Sequence, residues 1–321
     1  MATKLTERLA PLAAFGPLIA LVVASVFFAT QSDRFLTLGN LSLILQQITV
    51  VGTIAIGQTL VILTAGIDLS CGMLMAFGII VMSKFAVDLK MPAVLAFLCG
   101  VLVTGGFGAL NGALVTRVRL PPFIVTLGTL NIAFACAQLY SHAQTITDVP
   151  ESLTALGDTF TIAGAEFTGA VPLMLALYVL VWWILRDTAY GRHVYAVGNN
   201  PEAARLTGIP TARLLFAVYT IAGVFYGIAA LLSIARTGVG NSQAGQTENL
   251  DSITAVVLGG TSLFGGRGGV MGTLIGAMIV GVFRNGLTLM GVPSVIQILI
   301  TGLLVILAVM TDQMSRRGGA R

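Results

Sequence analysis

Asp68 is the only charged residue between Phe35 and Ser83, and it lies in Gly66-Ile-Asp-Leu-Ser-Cys-Gly72 between two apolar stretches. A charge at bilayer depth costs at least about 2.5–3.5 kcal/mol on insertion scales, so a carboxylate kept there is a candidate functional group beside a transport path. Gly66, Ser70 and Gly72 are turn and cap residues. Asp68 is therefore also a candidate N-cap, its carboxylate accepting backbone N–H groups at a helix start. The two roles are compatible and the spacing leaves both open.

The other candidates for a polar path are neutral hydrogen-bonding side chains inside apolar stretches: Gln46, Gln47, Gln58, Ser70, Asn111, Asn131, Gln138 and Gln297. Such groups suit a solute that offers hydroxyls and no charge. Taken singly, each can equally tie neighbouring helices together. His142 and His193 stand far apart, and Cys71, Cys99 and Cys136 have no ligand spacing, so no catalytic residue and no metal site is expected, and the cysteines read as packing residues. The only lysines are Lys4, Lys84 and Lys90, and none follows a phosphate-cradling glycine turn. The chain is thus expected to be no ATPase and no enzyme, and to bind no cofactor itself.

The elements that must position these groups are membrane helices. Of 321 residues, 56% are hydrophobic and 9% charged, against roughly 25% charged in a soluble domain. Uncharged runs at Leu9–Ser32, Phe35–Ile67, Met91–Thr116, Leu120–Thr147, Phe167–Leu185, Leu214–Ala235 and Asn285–Thr311 are each long enough to span about 30 Å of hydrocarbon. Leu69–Ser83, Ser252–Gly266 and Gly268–Phe283 are shorter and equally apolar. The expected fold is all-α and polytopic, with about ten transmembrane helices, interrupted in each half. One transmembrane domain fills 1–321, and the run opening after Lys4 and Arg8 stays as the first span, because Phe27 and Ala29 do not make a signal cleavage site.

With the N-terminus inside, Lys4, Arg8, Arg117, Arg119, Arg186, Arg192, Arg205, Arg213, Arg267, Arg316, Arg317 and Arg321 fall on the cytoplasmic side, 12 of 17 basic residues. The bias sets both termini in the cytoplasm. The outer loop from about His142 to Gly169 carries Asp148, Glu151, Asp158 and Glu166 with no Lys or Arg. The net charge of +4 is spread over inner loops, so nucleic acid is not an expected partner.

Each half has a span, a glycine-rich break and a short apolar segment: Gln58–Leu63 into Gly66–Gly72, and Ile253–Leu258 into Gly259–Gly269. Paired broken helices are a transporter pattern, and their backbone groups are tolerated only when buried in protein or lining a wet cavity. Glycines at Gly100, Gly105, Gly108 and Gly112, and at Gly272, Gly276 and Gly281, read as close-packing positions. Between two spans, at about 186–213, the chain has the grammar of a short amphipathic helix. Asn200 stands at the N-cap, Pro201 first in the helix, Glu202 in the first turn and Gly208 at the stop.

The chain resembles the membrane permease of bacterial ABC importers for monosaccharides, the ribose/xylose/arabinose class, over nearly its whole length. The resemblance rests on Gly66–Gly72, Asn111–Arg117, Leu120–Thr129, Gly191-Arg192 with Gly198–Gly208, and Gly259–Gly269 in order. It implies an inner-membrane permease for a sugar such as ribose, working as a homodimer with a cytoplasmic ABC ATPase that binds ATP and Mg and with a periplasmic sugar-binding protein. It also implies that Gly191, Arg192, Asn199, Asn200, Pro201, Glu202, Ala203, Ala204 and Gly208 couple the permease to that ATPase. Ala65 and Cys71 replace a Gly and a Val of the family pattern, and Arg284 stands where a neutral polar residue is more usual. An ion-coupled secondary carrier is the alternative, and it requires further carboxylates within the membrane.

Overall fold

The computed structural model describes residues 15–318. Residues 9–14 of the first run, Lys4, Arg8 and Arg321 lie outside the described residues, as do the side chains of Arg316 and Arg317. The helices are α1 (Gly16–Gln31), α2 (Leu38–Leu63), α3 (Cys71–Val87), α4 (Ala93–Thr116), α5 (Pro122–Ser141), the single turn α6 (Glu151–Thr154), α7 (Ala170–Asp187), α8 (Ala189–Asn199), α9 (Pro201–Leu206), α10 (Thr211–Thr237), α11 (Glu248–Leu258), α12 (Val270–Leu289) and α13 (Ser294–Gly318).

Six of them, α2, α4, α5, α7, α10 and α12, are long and apolar enough to cross a membrane, and α1, α3 and the Ser294–Leu307 part of α13 are shorter apolar helices. The expected count of about ten spans is not confirmed on this measure, because the described parts of α1, α3, α11 and the apolar part of α13 are shorter than a full span. Asn285–Thr311 also covers a loop: Gly291 at φ 74° and Pro293 separate α12 from α13. Conversely, α12 does not stop at Phe283 but continues past Arg284, whose charge is met by Asp251 at 3.2 Å.

The loop between α5 and α7 corrects the all-α expectation. Thr159–Ile162 (β1) and Ala165–Thr168 (β2) pair antiparallel, with Ile162 opposite Ala165. Ala163 and Gly164 between them have φ of 53° and 84°, the double left-handed geometry of a tight hairpin turn.

α10 lies at the centre, against α4, α2 and α3. Gly108 and Gly112 of α4 sit on the backbone of Tyr219 and Phe216, and Gly276 of α12 sits on the Ala255 carbonyl of α11. These glycines pack helices closely, as their spacing predicts.

Two elements are interrupted. α2 ends at Leu63, residues 64–70 follow without helix, and α3 resumes at Cys71. α11 has only 11 residues, about 16 Å of rise, or half a bilayer. Gly72, at the start of α3, lies against the Gly245 carbonyl in the loop that leads into α11. Gly259–Gly269, the turn between α11 and α12, meets the other end of 64–70, where the Gly266 N–H donates to Leu63 O at 3.0 Å.

Candidate functional site

At the start of α3 a cluster of buried polar groups joins four helices. Asp68 is 0% exposed. One carboxylate oxygen accepts the Ser70 backbone N–H (2.8 Å) and the Ser70 hydroxyl, and the other accepts the Tyr226 hydroxyl of α10 at 3.1 Å. Asn111 of α4 donates to Ser70 Oγ at 3.1 Å. Gln58 of α2 donates to the Asp68 carbonyl and lies 3.3 Å from Cys71 Sγ. Asp68 is thus not the N-cap expected from sequence. Ser70 occupies that position without a side-chain cap bond, and Asp68 closes the turn two residues earlier.

The open amides of α3 are met instead from the other interrupted element. Asn249, in the first turn of α11, accepts the Gly72 N–H and the Cys71 thiol through Oδ1. A helix's first N–H groups have no partner within the helix, and here one is satisfied by a residue 177 positions away. Cys71 is accordingly part of a hydrogen-bonded cluster as well as packed. Three buried atoms in it have no hydrogen-bond partner: Gln58 Oε1, Asn111 Oδ1 and Tyr219 OH.

Of the path candidates, Gln58, Asp68, Ser70 and Asn111 are brought together, each fully buried. The others lie apart. Gln46 donates to the Glu166 carbonyl of β2 (2.8 Å), and the backbone carbonyl of Gln47 accepts from Arg236 at 3.2 Å. Asn131 is exposed and bonds its own helix at Leu127 O (3.0 Å). Gln138 Oε1 is buried on α5 without a partner. Gln297 donates to Thr288 and to the Val292 carbonyl.

The segment between α7 and α10 is two helices rather than one. In α8, Thr188 caps the Gly191 N–H at 3.3 Å, and Gly191, Val194, Val197 and Gly198 are buried. Asn200 then accepts the N–H groups of Glu202 (3.1 Å) and Ala203 (3.0 Å), Pro201 is first in α9, and Gly208, at φ 89°, ends the turn. Arg192 and Asn199 to Ala203 are exposed, and Ala204 faces inward. The Arg205 guanidinium, 2.6 Å from Glu202, holds the exposed Glu202 carboxyl below the usual carboxylate range through hydrogen bonding and charge.

The end of α8 touches both glycine-rich loops. A Cβ on Gly198 would overlap the Leu63 carbonyl and crowd the Gly266 nitrogen, and Gly266 N–H itself donates to Leu63 O at 3.0 Å. Gly265 and Gly266, at φ 82° and 72°, pass against Ala65 and Asn199 respectively. Tyr195 adds a bond to Gly268 O at 2.9 Å. Three segments distant in sequence thus meet backbone to backbone.

Asp68 is not the only buried carboxylate. Glu248 and Asp251 are 8% and 5% exposed, because α11 is a half-length helix whose first turn lies inside the protein; carboxylates there also suit the helix's positive end. Among the described residues there is no group of three or more His, Cys, Asp and Glu arranged to hold a metal. Sequence reasoning missed Asn249 and Tyr226, and for Arg284 it offered an unnamed acidic outer residue, a lipid headgroup or snorkelling to the interface, where the structure gives Asp251 at 3.2 Å. A tyrosine inside the uncharged run Leu214–Ala235 was an available signal, whereas nothing in the sequence brings Asn249 to Gly72.

The chain matches the family described as branched-chain amino acid transport system / permease component over residues 40–309. It is 46% identical to the fructose import permease protein FrcC of Rhizobium meliloti over 310 residues, 95% of this chain and 86% of the relative. It is 37% identical to the ribose import permease protein RbsC of Escherichia coli K12 over 92% of each chain. The D-allose transport system permease protein AlsC of the same strain is 34% identical over 92% of this chain and 90% of the relative. No solved structure gives a significant match.

Proposed function

The chain belongs to the permease subunits of bacterial ABC sugar importers, and from that premise we propose that it carries a monosaccharide through the inner membrane, with fructose the first to test. The sequence reading used ribose as its example. The higher identity to a fructose permease than to the ribose permeases, 46% against 35–37%, moves fructose ahead.

In this reading α8 and α9, within the coupling loop 186–213, dock on a cytoplasmic ATPase that binds ATP and Mg. The exposed Arg192 and Asn199–Ala203 are the docking face, and Gly191, Ala204 and Gly208 shape it. A periplasmic binding protein delivers the sugar to the opposite side, a second copy completes the pore, and both termini lie in the cytoplasm, as the positive charges favour. The observation that carries the proposal is the backbone contact of Gly198 with Leu63 and Gly266. It gives a rigid route from the docking face to both interrupted elements. Gln58, Asp68, Ser70 and Asn111 then act as the joint that moves with them and not as a wet surface, since all four are fully buried.

The test is uptake of radiolabelled fructose, ribose, allose and galactose into proteoliposomes holding this chain, its ATPase and its binding protein, each omitted in turn. Uptake is expected only with all three and ATP. Glu202→Lys is expected to leave the chain in the membrane and to uncouple ATP hydrolysis from uptake; normal uptake by that variant would remove the docking assignment. Uptake by this chain alone under an ion gradient would establish the secondary carrier instead.

A further inference from the structure

Two grooves flank the contact between the end of α4 and the start of α10, and Thr116 and Ala212 line both. The larger, about 570 Å³, holds Arg119 together with Glu202 and Arg205 of α9. The smaller, about 170 Å³, holds Arg117 and Arg213. Glu202 is engaged by Arg205, 2.6 Å away. The guanidinium groups of Arg117, Arg119 and Arg213 are exposed and make no hydrogen bond or ion pair among the described residues. Three positive charges are thus gathered around one helix–helix contact with no counter-charge.

The orientation of the chain in the membrane asks only that positive charge accumulate on the inner side. It does not ask for these charges to share one contact, nor for the backbone of Arg119. That residue sits at φ 62°, a left-handed conformation that crowds an L side chain and that glycine adopts freely. A strained arginine where glycine would fit points to a use for its side chain. Both α4 and α10 are long and apolar enough to span a bilayer, so their joined ends lie at headgroup level. Val118 and Leu120, on either side of Arg119, and Leu206, next to Arg205, are apolar and exposed. The arginine fork matches a phosphate, whose oxygens accept two N–H groups side by side. Basic pockets between membrane helices on the inner side suit anionic lipid headgroups. Exposed apolar residues around the cations favour a phosphate that carries acyl chains over one free in solution.

We propose that this pair of grooves is a binding site for an anionic phospholipid, the Arg119 guanidinium taking the headgroup phosphate and Arg117 and Arg213 adding attraction from beside it. The headgroup bridges α4 to the start of α10 next to α9, so the helix with the proposed docking face is steadied by lipid as well as by protein.

The experiment is native mass spectrometry of the purified full chain released from nanodiscs of equimolar phosphatidylglycerol and phosphatidylcholine with the same acyl chains. Preferential retention of phosphatidylglycerol is expected. It should fall about fivefold in Arg119→Gln, the share of one arginine beside a charged lipid, and vanish when Arg117, Arg119 and Arg213 are all replaced by Gln. Arg267→Gln makes the same charge change at an exposed arginine outside the grooves and should leave retention as it was. Arg119→Gly should raise the unfolding temperature in detergent and still lose retention, a split that a purely structural arginine would not give. No preference for phosphatidylglycerol, or an equal loss in Arg267→Gln, would overturn the proposal. Displacement of the lipid by millimolar glycerol phosphate would overturn it too, in favour of a site for a soluble phosphate. Transport is not part of the readout, so the result stands or falls separately from the importer reading.

Discussion

The segment 64–70 is held at its two ends by opposite means. At the α2 end, Leu63 and Ala65 meet Gly198, Gly265 and Gly266 backbone to backbone, with no side chain between them. At the α3 end, Asp68, Ser70, Cys71 and Gly72 are held by side chains of Gln58, Asn111, Tyr226 and Asn249. Backbone contact leaves no slack, so in the proposed importer a shift of α8 would be passed on directly. Side-chain hydrogen bonds can be exchanged for others at little net cost, about 1 kcal/mol each. The first end behaves as a linkage and the second as a latch.

The sharpest way to break this contrast is at the linkage. Gly198→Val places a branched side chain into the Leu63 carbonyl, and overpacking of that kind costs roughly 3 kcal/mol. It should abolish uptake and lower membrane levels, as read by uptake and immunoblot. At the latch, Asn249→Leu leaves the Gly72 amide open, at a cost of about 1–2 kcal/mol. Thermal unfolding in detergent should show that loss, and Asn249→Asp, which keeps the acceptor, should restore most of it. Asp68→Asn keeps one acceptor for the Ser70 amide and loses the second, so about 1 kcal/mol and most uptake retained are expected. Complete loss of uptake with normal folding would give Asp68 a direct place on the sugar path. The smallest effect has the opposite sign. Ala65 sits at φ 60°, where a Cβ costs roughly 1–2 kcal/mol and glycine does not, so Ala65→Gly should raise stability by about 0.5–1 kcal/mol.

Much of the linkage was legible in the sequence, because its parts are local. Asn200, Pro201, Glu202 and Gly208 spell a capped helix within nine residues, and the glycine runs announce close contact. Asp68 was visible as a lone charge, and Gln58 and Asn111 as amides in apolar runs. The latch as a whole was not, since it needs Asn249 and Tyr226 brought from 177 and 158 residues away. Helix boundaries were misplaced where charge was taken as a stop: Arg284 lies inside α12 because Asp251 meets it, and α11 begins among buried carboxylates that look, in sequence, like a surface.

The Asn249 cap also orders events in time. Ribosomes release a chain from its N-terminus, so α3 enters the bilayer long before residue 249 exists. Until then the Gly72 amide lacks its native partner, and the start of α3 must wait in a borrowed environment, solvated or held by the insertion machinery. The native capping of α3 is therefore completed only once the second half of the chain has been made.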